Sequence, residues 1–394
     1  MDALARETSQ SIARASQHLQ VLRGAHLVEA EKRRQSARYR LAGEHEGIPR
    51  KSAPGVATQD GKPAMTPALP VIEPPPYRPG EIAGLQAEIR SLARRRGAII
   101  LSHNYQRPEI QDVADFVGDS LGLSREAARV DADVIVFCGV HFMAETAVIL
   151  SPHKKVLLPD LRAQCSLAAM ITAEDVRAWR SRFPGYAAVG YVNTTAEVKA
   201  ELDYCCTSGN VLEVIDAIPA DKGILFCPDF FLGAHARRMR PERRIEVWLG
   251  ECHVHKGIRA ATVGAARSAH PGAEVLVHPE CGCAGQLIYE MGSGALDPEG
   301  LHIASTEGMI RLAVERKAHQ FILATETGII HRMRQVAPEK EFIAADPEAV
   351  CGYMKTITLD RVREALALDQ YIVKVPPEIA ARARRALERM VQTG

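Results

Sequence analysis

Three stretches of this chain repeat one another, and that repetition constrains its fold more than any other feature. In the first, Val134–His141 leads through a helical pattern and Pro152 to a short apolar run and then Cys165. In the second, Gly223–Asp229 leads through Arg240 and Pro241 to another such run and Cys252. In the third, Gln320–Glu326 leads through Ala337 and Pro338 to a run and Cys351. Counted from Cys138, Cys227 and Thr325, the cysteine follows at 27, 25 and 26 residues. The preceding halves match as well. Ile100–Tyr105, Val189–Asn193 and Leu276–Glu280 each close an apolar run with polar, reactive side chains. A small hydroxyl residue follows each: Ser120, Ser208 and Thr306. The third interval is longer, with an insertion near 291–303. A repeated supersecondary unit predicts copies that fold alike.

The runs are short and apolar throughout, as in Ala98–Ser102, Asp133–Phe137, Ala187–Tyr191, Glu274–His278 and Gln320–Ala324. Strands of that kind are buried on both faces, which implies parallel sheets covered by helices. The expected fold class is α/β. Three αβα sandwich domains, at 81–168, 169–258 and 259–394, are related by a pseudo-threefold axis around a central site, with C-terminal helices added to the last. Open α/β units place ligand groups at the carboxyl ends of their strands. Three such units would aim Cys165, Cys252 and Cys351 at one spot. They would bring His103, Tyr105, Tyr191, Asn193, His278 and Glu280 to the same cavity. Hydroxyls at three helix starts suit an anion, because free N–H groups and the helix dipole point there.

A different composition precedes this body. Residues 44–80 hold nine of the 23 prolines, which predicts a disordered linker. Before it, residues 11–23 have a helical apolar period, and 27–41 read as a hairpin with a basic turn. Ser16–Arg33 and Ala37–Ala42 resemble the recognition helix and wing of an ArsR-type winged-helix repressor. The resemblance is confined to residues 8–42, within a segment 1–43 too small for its own core. DNA binding is therefore not expected. The formal net charge of +1 agrees, since polyanion binding needs a basic face. No stretch approaches the roughly 18 apolar residues of a membrane span, and Met1–Gln10 lacks the apolar core of a secretory signal. A cytoplasmic protein without membrane association is expected, and its nine cysteines are expected to be thiols or metal ligands rather than disulfides.

Three converging cysteines are soft ligands for zinc or an iron–sulfur cluster. Zinc would take its fourth ligand from His253 or His255. A cubane on three thiolates keeps one iron open, a Lewis acid suited to dehydration. Three inert buried thiols fit the spacing too.

The blocks Ser102–Gln106, Val113–Ser124, Phe137–Leu150, Cys165–Ala168, Tyr191–Asn210, Pro228–Gly233, Gly250–His255, Val277–Cys281, Ser305–Met309, Ala324–His331 and Val350–Lys355 together resemble the quinolinate synthase family. The resemblance runs over residues 81–394. It implies three pseudo-symmetric α/β domains around a [4Fe-4S] cluster, ligated by Cys165, Cys252 and Cys351. It implies an enzyme of NAD biosynthesis that condenses iminoaspartate with dihydroxyacetone phosphate to quinolinate, with functional coupling to an iminoaspartate-producing enzyme. The rival readings are another iron–sulfur hydro-lyase and an iron–sulfur redox-sensing regulator that binds DNA. Arg162–Gln164 precede the first ligand where the family more often has glycine.

The matched blocks imply a role for each candidate. His103 is assigned to a substrate carboxylate or carbonyl and Tyr105 to proton transfer. Tyr191 and Asn193 would hold the triose and the product carboxylates. Glu280 is the expected general base, since a shielded carboxylate can be raised to that task. His278 lies two residues before it, on the same face of an extended strand. His255 is expected on a substrate carboxylate, and Ser120, Ser208 and Thr306 on phosphate or carboxylate. Cys205–Cys206 and Cys281/Cys283 are expected to be ordinary thiols near the site, and Cys138 and Cys227 buried ones.

Overall fold

The computed structural model describes residues 28–33, 36–41, 77–78, 80–292 and 299–393. In the N-terminal unit, β1 (Val28–Arg33) and β2 (Ser36–Leu41) pair antiparallel, Val28 opposite Leu41. The helix expected before this hairpin lies outside the described residues, and a two-stranded hairpin by itself does not support the expected winged helix. Nearly all of the expected linker lies outside them too. Its last described residues belong to the body: the Tyr77 hydroxyl accepts from Asp360 N at 3.3 Å and its ring packs on the core.

The body holds three four-stranded parallel sheets. The first contains β3 (Ala98–His103), β4 (Phe116–Gly118), β5 (Val134–Cys138) and β6 (Lys155–Leu157), in the order β4-β3-β5-β6. The second contains β7 (Ala187–Tyr191), β8 (Tyr204–Cys206), β9 (Ile224–Cys227) and β10 (Ile245–Val247), in the order β8-β7-β9-β10. The third contains β11 (Glu274–Val277), β12 (Leu301–Ile303), β13 (Gln320–Ala324) and β14 (Glu341–Ala344), in the order β12-β11-β13-β14. All three share one order, and every pair within them is parallel. The triplicated sequence thus becomes a triplicated topology.

The apolar runs supply the central strands. All five residues of β5 and of β7 are buried. Burial of each Val, Ile or Phe side chain contributes roughly 1.5–3 kcal/mol. The edge strands β4, β8 and β12 were not expected from the sequence. Each has only three residues, too few for a period of two to show. Their register explains the site. His103 lies level with Gly118, Tyr191 with Cys206, and Val277 with Ile303. The hydroxyl residues follow two or three positions later, at the same sheet end as the side chains after the central strands.

Two helical contacts brace the body. The helix Glu81–Arg95 packs on Leu359–Leu368. The helix Pro377–Gln392, with proline in its first turn, buries Ala383, Ala386, Leu387 and Met390 at helical spacing. It packs on β8 and on the helix His141–Leu150. Asn210 Nδ2 donates to Met390 O and Thr393 O at 2.9 Å, and Arg125 Nε to Val391 O at 3.1 Å. The C-terminal helix therefore ties the first sheet unit to the second. No described helix is long and apolar enough to cross a membrane.

Candidate active site

Each sheet unit ends in the same local device. After β6, β10 and β14 the chain reaches Cys165, Cys252 and Cys351, and a single 3₁₀ turn begins three residues later, at Ala168, His255 and Met354. Backbone N–H groups of those turns point at the sulfurs: Leu167 and Ala168 at Cys165, His255 at Cys252, Tyr353 and Met354 at Cys351. Such a nest of donors favours a thiolate. Burial opposes it, and wins while the groups are thiols: Cys165 is pushed up to about 12, Cys351 to about 11 and Cys252 well above its usual value. A bound metal centre would displace these protons. Cys165, Cys252 and Cys351 all line one cavity. Three soft donors from equivalent turns facing one space fit a cluster that leaves one metal position open. Sulfurs on different irons of a cubane stand further apart than the ligands of one ion. The one group of described residues close enough for a single ion is Cys252, His255 and Glu280, with ligand atoms within 4.8 Å of one another.

The same cavity gathers His103, Tyr105, Ser120, Tyr191, Asn193, Ser208, His255, His278, Glu280 and Thr306. The sequence-derived site residues therefore come together, and their bonding adds detail. The Tyr191 hydroxyl donates to Oε1 of Glu280. His255 Nδ1 faces Oε2 of Glu280 at 3.2 Å, an electrostatic contact off the line of a hydrogen bond. Its Nε2 lies 3.0 Å from Thr325 Oγ1, which is itself 2.6 Å from the Tyr105 hydroxyl. His255 stacks on His278 with ring centroids 4.8 Å apart, and His278 Nε2 lies 3.2 Å from Ser208 Oγ. Tyr105 N donates to His103 Nδ1 at 3.1 Å.

Charge states follow from burial and neighbours. His103 and His278 are lowered to about 3, chiefly by desolvation, and are neutral. Tyr105 and Tyr191 are pushed well above the phenol range, again by burial first, with Glu280 adding to it. Both remain proton donors at neutral pH. Glu280 differs from expectation. Burial acts to raise it, but His255, His278 and the Tyr191 hydroxyl outweigh burial and hold it well below the usual carboxylate range. It is an ionised acceptor rather than a raised base. The strand expected to carry it also stops short: β11 ends at Val277, and Glu280 N donates back to His278 Nδ1 at 3.3 Å. A turn, not strand alternation, brings His278 and Glu280 together.

The hydroxyls are not helix caps. Asp119 caps the helix Ser120–Arg129 through Gly122 N at 2.8 Å, and Ser305 caps Thr306–Glu315 through Gly308 N at 3.2 Å. Ser120 and Thr306 therefore keep their hydroxyls for the cavity. Asp119 also lines it, raised to about 6 by burial first and by Glu307. Asn193 Oδ1 is buried without a hydrogen-bond partner, which marks it for a ligand N–H or O–H.

The sequence missed Thr325, Glu326, Tyr353 and Asp119 as cavity neighbours or lining. Thr325 and Glu326 directly follow β13, a central strand, as His278 directly follows β11, and that was the available signal. Cys205 and Cys206 are fully buried in β8, as expected of structural thiols. Cys138 and Cys227 are buried as well. Cys281 and Cys283 depart from expectation and form a disulfide. The turn that carries them, with Ala284 N donating to Cys281 O at 2.9 Å, sets their Cα atoms 5.1 Å apart, within bridging reach.

Comparison with known proteins agrees with this geometry. Residues 87–392 match the profile of a family described as quinolinate synthetase A protein. A quinolinate synthase of Thermus thermophilus is 55% identical over 310 residues, 79% of this chain and 97% of the relative. One from Mycobacterium sp. strain KMS is 54% identical over 308 residues, 78% of this chain and 91% of the relative. One from Mycobacterium tuberculosis is also 54% identical over 308 residues, 78% of this chain and 88% of its own length.

Proposed function

The chain belongs to the quinolinate synthetase A family of enzymes, and from that premise we propose that its cavity condenses iminoaspartate with dihydroxyacetone phosphate to quinolinate, releasing phosphate and water. The observation that carries this reading is the facing of Cys165, Cys252 and Cys351, from three equivalent turns, into one cavity with Glu280, Tyr105, Tyr191 and the three hydroxyls. The three thiolates are proposed to hold a [4Fe-4S] cluster. When bound, it supplies an iron without a protein thiolate, a Lewis acid for substrate oxygen.

The remaining work falls to side chains. Ser120, Ser208 and Thr306 donate to phosphate or carboxylate oxygens at the sheet ends. Asn193 and neutral His103 hold the carbonyl and carboxylate groups of the small substrates. Tyr105 and Tyr191, kept protonated by burial, donate protons to leaving oxygen. Glu280 receives the proton removed in the imine–enamine change, with Tyr191 on its Oε1 and His255 beside its Oε2. A carboxylate held this low keeps a proton only briefly, so it serves as a relay.

A second reading has a specific observation behind it. Cys252, His255 and Glu280 are close enough to hold one divalent ion. Anaerobic reconstitution followed by iron, zinc and quinolinate assays separates the two. The cluster reading expects a brown protein with about four irons that forms quinolinate. A colourless, fully active zinc form would overturn it.

A further inference from the structure

At the cavity wall lies a charged pair that the roles above do not use. Glu326 is 1% exposed and Lys355 is 8% exposed. Lys355 Nζ lies 3.1 Å from Glu326 Oε1. The same Oε1 accepts from the backbone N–H of Cys351 at 3.0 Å, and Oε2 accepts from Gly328 N at 2.6 Å. Lys355 Nζ donates to the carbonyl of Tyr105. Arg107 Nε, two residues on, donates to Lys355 O at 2.9 Å. One ion pair thus touches the backbone of a proposed cluster ligand on one side and that of a proposed proton donor on the other.

The junction is packed to contact. A Cβ placed on Gly328 would stand 2.7 Å from Lys355 Nζ, 2.8 Å from Glu326 Oε2 and 2.9 Å from the Tyr105 carbonyl carbon. Glycine is required there by space, since its φ of −60° suits any residue. Glu326 also lines the cavity. Buried charges are weak evidence for stability, because desolvation offsets their attraction, and fixing one arrangement is their best-attested use.

We propose that Glu326 and Lys355 are positioning residues, which register the Tyr105 loop of the first sheet unit against Cys351 of the third and balance each other's field at the cluster. This rests on the cluster reading given above. The pair is neutral as a unit, so removing one charge exposes the other to the metal centre. Removing both restores neutrality but not register.

The experiment uses the full chain, reconstituted anaerobically, with the cluster's midpoint potential and steady-state kinetics measured for each variant. Glu326→Gln is expected to raise the potential and Lys355→Met to lower it. The double variant is expected to return close to the wild-type potential while kcat stays at least about ten-fold down, the order of a lost positioning contact. Lys355→Arg keeps the charge and moves the donor, so it is expected to leave the potential unmoved and lower kcat. It also serves if Lys355→Met does not fold. Shifts of the same sign in the single variants, no shift in either, or a shifted potential in Lys355→Arg would each overturn the assignment. Wild-type protein that binds no iron overturns the cluster reading instead, and the pair's role with it.

Discussion

The Nδ1 atom of His255 stands 3.2 Å from Oε2 of Glu280, with both side chains almost fully buried. His255 opens the turn after Cys252, and Glu280 lies in the turn after β11. The contact therefore joins the second sheet unit to the third at the point where the proposed cluster and substrate meet. With the Tyr191 hydroxyl on the other carboxylate oxygen, it accounts for Glu280 remaining ionised in a buried place.

Glu280→Gln should retain the cluster and lose most turnover. The change keeps shape and removes the charge, and loss of an acid–base group costs on the order of 10²–10⁴-fold. The check is kcat together with iron content. Near-normal kcat would remove Glu280 from proton transfer. Loss of iron would place it with Cys252 and His255 in the metal site.

Cys165→Ser, Cys252→Ser and Cys351→Ser should each lose iron and activity, since a hydroxyl is a poor substitute for a soft thiolate. Cys206→Ser should keep its iron, because Cys206 is sealed inside β8 with no exposure. Iron content and visible absorbance after anaerobic reconstitution decide it. A single active-site Ser variant with full iron would break the three-thiolate assignment.

Stability of the metal-free protein should fall with acid through His103. Its folded pKa is depressed to about 3 by burial and by Lys355, against 6.5 in the unfolded chain. The neutral ring's contribution is complete above pH 6.5 and is lost as pH falls toward 3. One unit below 6.5 the loss is on the order of 1 kcal/mol. Urea unfolding at pH 7.5 and 5.5 should show a pH dependence shallower by about that amount in His103→Gln. An unchanged slope would mean that the ring is not held neutral.

Removing residues 1–76 should leave activity within about two-fold. Among the described residues, the contacts that anchor the start of the body begin at Tyr77, which accepts from Asp360 N. All three sheets and the whole cavity lie beyond it. Steady-state assay of the shortened chain tests this, and insoluble or inactive protein would show that the body needs the N-terminal residues.

Much of the fold was legible because it is written locally. The buried strands are apolar runs, and the repeat of Cys165, Cys252 and Cys351 at near-constant spacing marks three like units. The edge strands β4, β8 and β12 escaped notice because three residues carry no period, whereas the equally short β6 and β10 are marked by the cysteine that follows each. Asp119 and Ser305 cap their helices and leave the Ser120 and Thr306 hydroxyls to the cavity, because a shift of one residue decides which side chain meets the helix N–H groups.

Sequence pattern alone points to most of the residues that line the cavity, though not to Asp119, Glu326 or Tyr353. Strand ends and the turns after them are set by short-range pattern, and triplication aims them inward. Their partners in the cavity come from contacts between distant segments. Tyr105 meets Thr325 across 220 positions and Lys355 across 250, distances over which no pattern in the chain is readable. The same holds for charge. A raised Glu280 is the natural expectation for a shielded carboxylate, yet whether burial or its neighbours prevail depends on how the imidazoles and a phenol from other units are packed around it. Desolvation and Coulomb terms both depend on three-dimensional distance, which a linear pattern does not contain.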